Sequence, residues 1–250
     1  MRPAGATALA FLVLVGTASL LADFVAPRSY AEQSRDQLSA PPSARFWLGT
    51  DELGRDRFSR LVHGTRISLL LAPAAALLST ACAAILGGSA GYLGGGWERC
   101  FRTVTGFFLS LPWLFLLLTV RALLPLNVSP VVSVVITFLL LGGLGSAMPA
   151  RIIHAAARNL IQSDYLLQAR AQGHSGLRLF SRHLIPNLRP ILFAQFWISV
   201  PVFILSEANL GLLGLGVTEP LPSWGPCFAN WKTTKLLRTV RGSWFRWYCS

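Results

Sequence analysis

Long apolar runs alternate along this chain with polar, arginine-bearing connections. A helix needs roughly 20 largely apolar residues to cross a bilayer. Five runs meet that length: Thr7–Ala26, Ile67–Leu93, Val104–Leu124, Pro130–Ala150 and Ile191–Leu213. The pattern predicts an all-α fold, a polytopic membrane helix bundle with five recognisable spans. The first run reads as a retained span rather than a secretory leader. It is long enough to cross, its Thr17-Ala18-Ser19 and Leu20-Leu21-Ala22 triplets are poor cleavage sites, and further spans follow.

The connections differ in character. Pro27–Arg66 carries seven arginines, five acids and a Pro41-Pro42 break, a mixture that reads as water-facing and partly irregular. The Ala- and Gly-rich second run closes on Gly87-Gly88-Ser89-Ala90-Gly91-Tyr92-Leu93-Gly94-Gly95-Gly96, which permits close helix contact and then stops the helix. The short Gly94–Thr103 connection makes the second and third spans antiparallel neighbours. Arg151–Pro190 is the largest basic insertion, with six arginines, three histidines and one acid, Asp164.

Composition agrees with the periodicity. Hydrophobic residues make up 53% and charged residues 13% of the chain, a balance that a soluble domain of 250 residues would not sustain. The net charge of +12 lies mainly in loop arginines, where cations meet lipid headgroups, and no basic face with interleaved aromatics suggests nucleic acid. With the N-terminus inside, the cytoplasmic connections hold nine arginines against seven outside, which favours that orientation. Four cysteines without a C-x-x-C pair indicate neither a metal site nor a disulfide framework.

Catalytic signatures are absent. No G-x-x-x-x-G-K-[ST] phosphate loop occurs. Gly87-Gly88-Ser89-Ala90-Gly91 matches G-x-S-x-G, but it ends an apolar helix and reads as small-residue packing. His63, His154, His174 and His183 are expected in polar connections, away from any intramembrane serine. Asp51, Glu52 and Asp56 lie among Arg55, Arg57 and Arg60, which suggests internal ion pairing. Glu207 and Asn209, polar groups at the end of the fifth run, are expected to face protein or a water-filled path, with Glu207 bracing a helix break near Gly211. Arg121 is expected either to snorkel to the interface or to pair with Glu207.

The basic insertion predicts two short helices. Asp164 can cap one running Tyr165–Gln172 with Gly173 as its stop, and Ser175 a second over Gly176–Ile185, which Pro186 and Pro190 set apart from the last span. A helical knob rimmed by Arg170, Arg178 and Arg182 suits a groove on a partner protein. At these residues the chain resembles a known family. Asp164-Tyr165-Leu166-Leu167-Gln168-Ala169-Arg170-Ala171-Gln172-Gly173 through Arg182-His183-Leu184-Ile185-Pro186-Asn187 is similar to the E-A-A loop of importer permeases. Trp47–Asp56 with Ser59-Arg60-Leu61, Gly64 and Arg66–Leu69, and Ser206–Val217 with Pro222-Ser223-Trp224-Gly225, resemble segments of dipeptide and oligopeptide permeases.

The resemblance implies a MetI-like permease subunit of an ATP-binding-cassette importer for peptides or related solutes. Such a protein is multi-pass in the bacterial plasma (inner) membrane, normally with six spans and both termini cytoplasmic. Implied partners are a second permease subunit, ATPase subunits, and a periplasmic or extracellular substrate-binding protein. ATP hydrolysis belongs to those ATPases, and the chain is expected to hold no cofactor. The coupling loop is carried over onto Asp164, Leu167, Gln168, Ala169, Gly173, Arg182 and Pro186. One departure stands out: the family's Glu, three residues after the Asp, is Leu167 here, and Gln168 replaces the usual Ala. Loss of that capping box weakens the first turn by roughly 0.5–1 kcal/mol.

The reading divides the chain into a first helix and loop over 1–66, a permease core over 67–225 with its coupling loop at 151–190, and an atypical basic tail over 226–250. That tail offers no apolar run able to cross a bilayer, so the family's sixth span is expected to be missing and the tail poorly ordered or interfacial. Two alternatives follow: a truncated, nonfunctional permease remnant, or an unrelated polytopic membrane protein.

Overall fold

The computed structural model describes residues 7, 16–123, 129–171, 176–213, 215, 221–225 and 227. Among these the regular elements are helices, with one isolated bridge between Thr50 and Asp56. A helical stretch at 16–20 leads into α1 (Ala22–Val25). Then come α2 (Arg57–Leu93), α3 (Gly95–Ser110), α4 (Trp113–Leu123), α5 (Pro130–Leu144), α6 (Ala147–Ile161), α7 (Asp164–Ala171), α8 (Gly176–Leu179), a π turn (Phe180–Leu184) and α9 (Ile185–Leu212).

Arg57–Leu93, Pro130–Ile161 and Phe180–Leu212 are each long and apolar enough to cross a membrane. The expected span Val104–Leu124 is not one straight helix: α3 and α4 meet at a 90° bend. The cause is Pro112. It pushes the preceding residue out of the helical region, and Leu111 takes extended backbone angles, φ −88° and ψ 139°. At the other end of α3, Gly94 and Gly95 hold φ of 66° and 59°, a reversal open to glycine at little cost.

The fourth apolar run continues as helix past Ala150 to Ile161, so the basic connection begins with helix rather than loop. The last span also starts early. Pro186 and Pro190 do not separate it from the second short helix; helix is continuous from Gly176 to Leu212. Pro190 lies inside α9, and the helix runs on through it; at Pro186 the π turn is the reason. Ile185 N–H donates to the Phe180 carbonyl, five residues back, and the wider winding accommodates Pro186, which has no N–H to give. The missing sixth span and the disposition of the tail concern 226–250, where all but Cys227 lies outside the described residues.

The described residues fall into two compact units. One draws on Met1–Leu70, Asn127–Val134 and Glu207–Ser250, the other on Leu71–Leu126 and Val135–Ser206. In the second unit the core gathers Ala83 and Ala90 of α2, Phe101 of α3, Ala150, Ile153 and Ala157 of α6, and Leu166, Leu179, Leu184 and Leu188. In the first unit, Thr50 ties the loop ahead of α2. Its Oγ1 accepts the Ala40 amide at 2.8 Å and donates to the Gln37 carbonyl at 2.5 Å.

Candidate functional site

Among its described residues, the segment 164–188 has an apolar underside and a polar outer face. Leu166, Leu179, Leu184 and Leu188 are at most 1% exposed, packed on the small residues of α2 and α6. Their spacing fits the winding: five residues separate Leu179 from Leu184 across the i→i+5 turn, and four separate Leu184 from Leu188 in ordinary helix. All three leucines therefore share a face. Outward, Asp164, Gln168, Arg178 and Arg182 are exposed, and Pro186 is half-buried. The Tyr165 hydroxyl and His183 Nδ1 share a 2.7 Å hydrogen bond that joins α7 to the π turn, and Asn187 Nδ2 donates to the His183 carbonyl at 2.8 Å.

The capping expectation needs correction. Asp164 is the first residue of α7, so the flanking position belongs to Ser163, whose carbonyl accepts the Leu166 amide at 3.1 Å. The Ser163 hydroxyl turns back to the Leu160 carbonyl at 2.6 Å. Asp164 instead stands in the first turn, where the helix dipole favours an anion. The side chains of Leu167, Ala169 and Arg170, and the residues Gly173, His174 and Ser175, lie outside the described set.

Beneath this knob α2 and α6 approach closely. A Cβ on Gly87 would strike the Ala150 carbonyl, and one on Gly91 would stand 2.7 Å from the Ala157 Cβ. The G-x-S-x-G stretch is thus a helix-packing surface. Ser89 is half-buried; its hydroxyl donates to the Leu86 carbonyl at 3.1 Å and accepts from Trp97 Nε1 at 3.2 Å. Two histidines depart from the expected polar connections. His63 lies within α2, bonded to the Ser59 carbonyl at 2.9 Å, and His154 lies within α6. His154 Nε2 is 3.2 Å from Glu98 Oε1, and Arg158 Nη1, one turn on, is 3.5 Å from Glu98 Oε2. This three-residue clasp joins residues far apart in sequence, and no local motif announces it.

In the first unit the expected ion pairing is present. Arg55 Nε donates to Asp51 Oδ2 at 2.8 Å, both side chains at most 3% exposed, and Arg60 Nε stands 4.0 Å from the same oxygen. Asp51 Oδ1 also accepts the Leu53 and Arg55 amides at 2.9 and 2.8 Å. Asp56 caps α2: its Oδ2 accepts the Ser59 amide at 3.1 Å and the Ser59 hydroxyl at 2.6 Å. Glu52 is exposed and makes none of these bonds.

Glu207 is fully buried near the end of α9, and Ser223 donates its hydroxyl to Oε1 at 2.6 Å. Trp224 Nε1 donates to Thr65 Oγ1 of α2 at 2.9 Å, so residues 223–224 bridge α2 and α9 within this unit. Asn209 is exposed and does not join that cluster. Arg121 is fully buried in the second unit, which excludes snorkelling to the surface. The half-buried Cys227 lies 3.7 Å from the Arg60 carbonyl. Burial pushes its thiol up to about 11, against the opposing pull of Arg60.

Residues 83–234 match the family described as binding-protein-dependent transport system inner membrane component. Among similar proteins, the dipeptide transport system permease protein DppC of Bacillus subtilis is 32% identical over 97% of this chain and 72% of its own length. The di/tripeptide transport system permease protein DppC of Pseudomonas aeruginosa is 36% identical over 89% of this chain and 73% of its own. The oligopeptide transport system permease protein OppC of B. subtilis is 30% identical over 87% and 69%. The unrelated-polytopic reading is thereby set aside. The chain belongs to the binding-protein-dependent transport system inner membrane component family and is a multi-pass permease subunit of an ATP-binding-cassette importer, with ATP hydrolysed by separate subunits.

Proposed function

We propose that this permease carries peptides, and that residues 164–187, centred on Asp164, Leu167, Gln168, Ala169, Gly173, Arg182 and Pro186, couple it to an ATPase partner. A second permease subunit completes the path, a periplasmic or extracellular binding protein delivers solute, and the N-terminus faces the cytoplasm. The peptide class rests on the relatives, which are named for dipeptide, di/tripeptide and oligopeptide transport.

One observation carries the coupling role: a polar, cationic outer face mounted on an apolar underside that is continuous with the core of α2, α3 and α6. Such a knob moves as one body with the helices beneath it, because packed cores resist continuous deformation. Closure of an ATPase dimer that holds the knob then displaces α6 and α9, and solute access alternates as the permease halves rock. The Glu98 clasp supports the topology, since it joins the second and fourth connections, which antiparallel spans bring to one end. Glu207 and Ser223 brace the end of α9 rather than contact solute in this reading.

The test is reconstitution of the permease pair, ATPases and binding protein in proteoliposomes, with uptake of a labelled dipeptide and of a labelled oligopeptide. ATP-dependent uptake of either is expected. Arg182→Glu should reduce ATPase co-purification and uptake together. Retention of both at wild-type level overturns the coupling assignment, and failure of both peptides to enter overturns the substrate class.

A further inference from the structure

We infer that Glu98 is a positioning residue for energy coupling: with His154 and Arg158 it forms a clasp that carries knob movement into the bent pair α3–α4. The inference rests on the coupling role proposed for 164–187. Three features of the second unit support it.

First, the clasp is built rather than incidental. Glu98 is 16% exposed at its side chain and presents one oxygen to each partner, at 3.2 and 3.5 Å. The partners stand at i and i+4 on one face of α6. His154 is 13% exposed, and its ring packs on Phe101, one turn beyond Glu98, with centroids 5.3 Å apart. Arg158 is 46% exposed, so the His154 contact is the more sheltered half of the clasp and the Arg158 ion pair is screened on its outer side.

Second, its location is between the lever and a deformable element. α6 ends at Ile161, and the knob begins at Asp164. α2 is already joined to α6 through the close approaches at Gly87 and Gly91, and needs no clasp to follow it. α3 differs. It leaves α2 through the Gly94-Gly95 reversal, and its attachment to α6 centres on Glu98 and Phe101. Phe101 is the α3 residue of that core cluster, so loss of the carboxylate weakens the attachment of α3 to α6 beside it.

Third, the far end of α3 meets a cavity where movement has an effect. At the 90° break, Phe108, Leu111 and Trp113 line a cavity of about 340 Å³ together with Met148, Ser199 and Phe203. Tilting α3 about its glycine reversal changes the width of this cavity. The clasp thereby links knob displacement to a space enclosed by α3–α4, α6 and α9.

The experiment uses the complete transporter in proteoliposomes, with Met148→Cys as a reporter in a background where the native cysteines are serine. In the parent, maleimide labelling at position 148 should differ between the nucleotide-free and ATP-bound, hydrolysis-arrested states. Glu98→Gln should leave ATPase co-purification and hydrolysis in place, abolish the nucleotide-dependent change in labelling, and lower uptake per ATP hydrolysed by about tenfold, within the usual range of coupling between sites. Exchange of charge, Glu98→Arg with Arg158→Glu, should recover uptake that either single change loses, which also serves if Glu98→Gln does not accumulate. Wild-type uptake and labelling in Glu98→Gln overturns the clasp, as does failure of the exchanged pair to recover. Arg182→Glu separates the two readings: if it leaves ATPase association intact, the coupling role of the knob fails, whatever Glu98 does.

Discussion

Two regions of this permease are held by opposite physics. The knob at 164–188 rests on four leucines pressed onto alanine-rich helices, while the loop ahead of α2 is organised by the buried pair Asp51–Arg55 with Arg60 nearby. Apolar burial is non-directional and scales with area, so an outer face can change without disturbing what lies beneath. A buried ion pair is directional, and removal of one partner strands the other. The first design suits a surface that must match a partner. The second suits a segment that must keep one conformation.

That contrast can be broken from either side. Asp51→Ala should be the most damaging substitution, at about 3–5 kcal/mol, because it strips Arg55 of its buried carboxylate; the loss should appear as a large fall in the thermal midpoint of the protein in nanodiscs. Leu184→Ala should cost about 3 kcal/mol through the cavity left under the π turn. Ser223→Ala, which removes the hydroxyl on Glu207, should cost about 2 kcal/mol. If Leu184→Ala exceeds Asp51→Ala in the same assay, the contrast is reversed. Gln168→Ala and Arg178→Ala, both on the outer face, should move stability by no more than about 0.5 kcal/mol while weakening ATPase co-purification.

The smallest effect concerns Cys227. Its thiol is raised from 9.0 to about 11 by burial, so alkylation should be far slower than that of exposed Cys100 at pH 7.5 and should accelerate as pH nears 11. A raised acid pKa means the neutral thiol is favoured by folding. That contribution is complete below pH 9.0 and is lost as pH climbs from there to about 11. Equal alkylation rates for the two cysteines at pH 7.5 would contradict the burial.

The apolar runs announced a membrane bundle because bilayer thickness imposes a length that composition reveals directly. The first short helix of the knob was legible because its signals are local, whereas the second runs on into α9 rather than standing apart. The bend at Leu111-Pro112 was also written in the chain, yet uniform hydrophobicity over Val104–Leu124 concealed it. Pro186 and Pro190 misled in the other direction: the π turn beside Pro186 relieves that proline, and Pro190 lies inside α9 without ending it. The Leu179, Leu184 and Leu188 spacing holds the signal for that π turn. The Glu98–His154–Arg158 clasp was not legible, because 56 residues separate Glu98 from His154 and nothing local to either predicts the other.

The most direct test of the coupling role places a photo-crosslinking amino acid at position 168 on the knob and, separately, at position 52 in the loop ahead of α2, both exposed. In the assembled transporter, position 168 should crosslink to the ATPase subunit and position 52 should not. Capture of the ATPase from position 52 but not from position 168 would contradict the account.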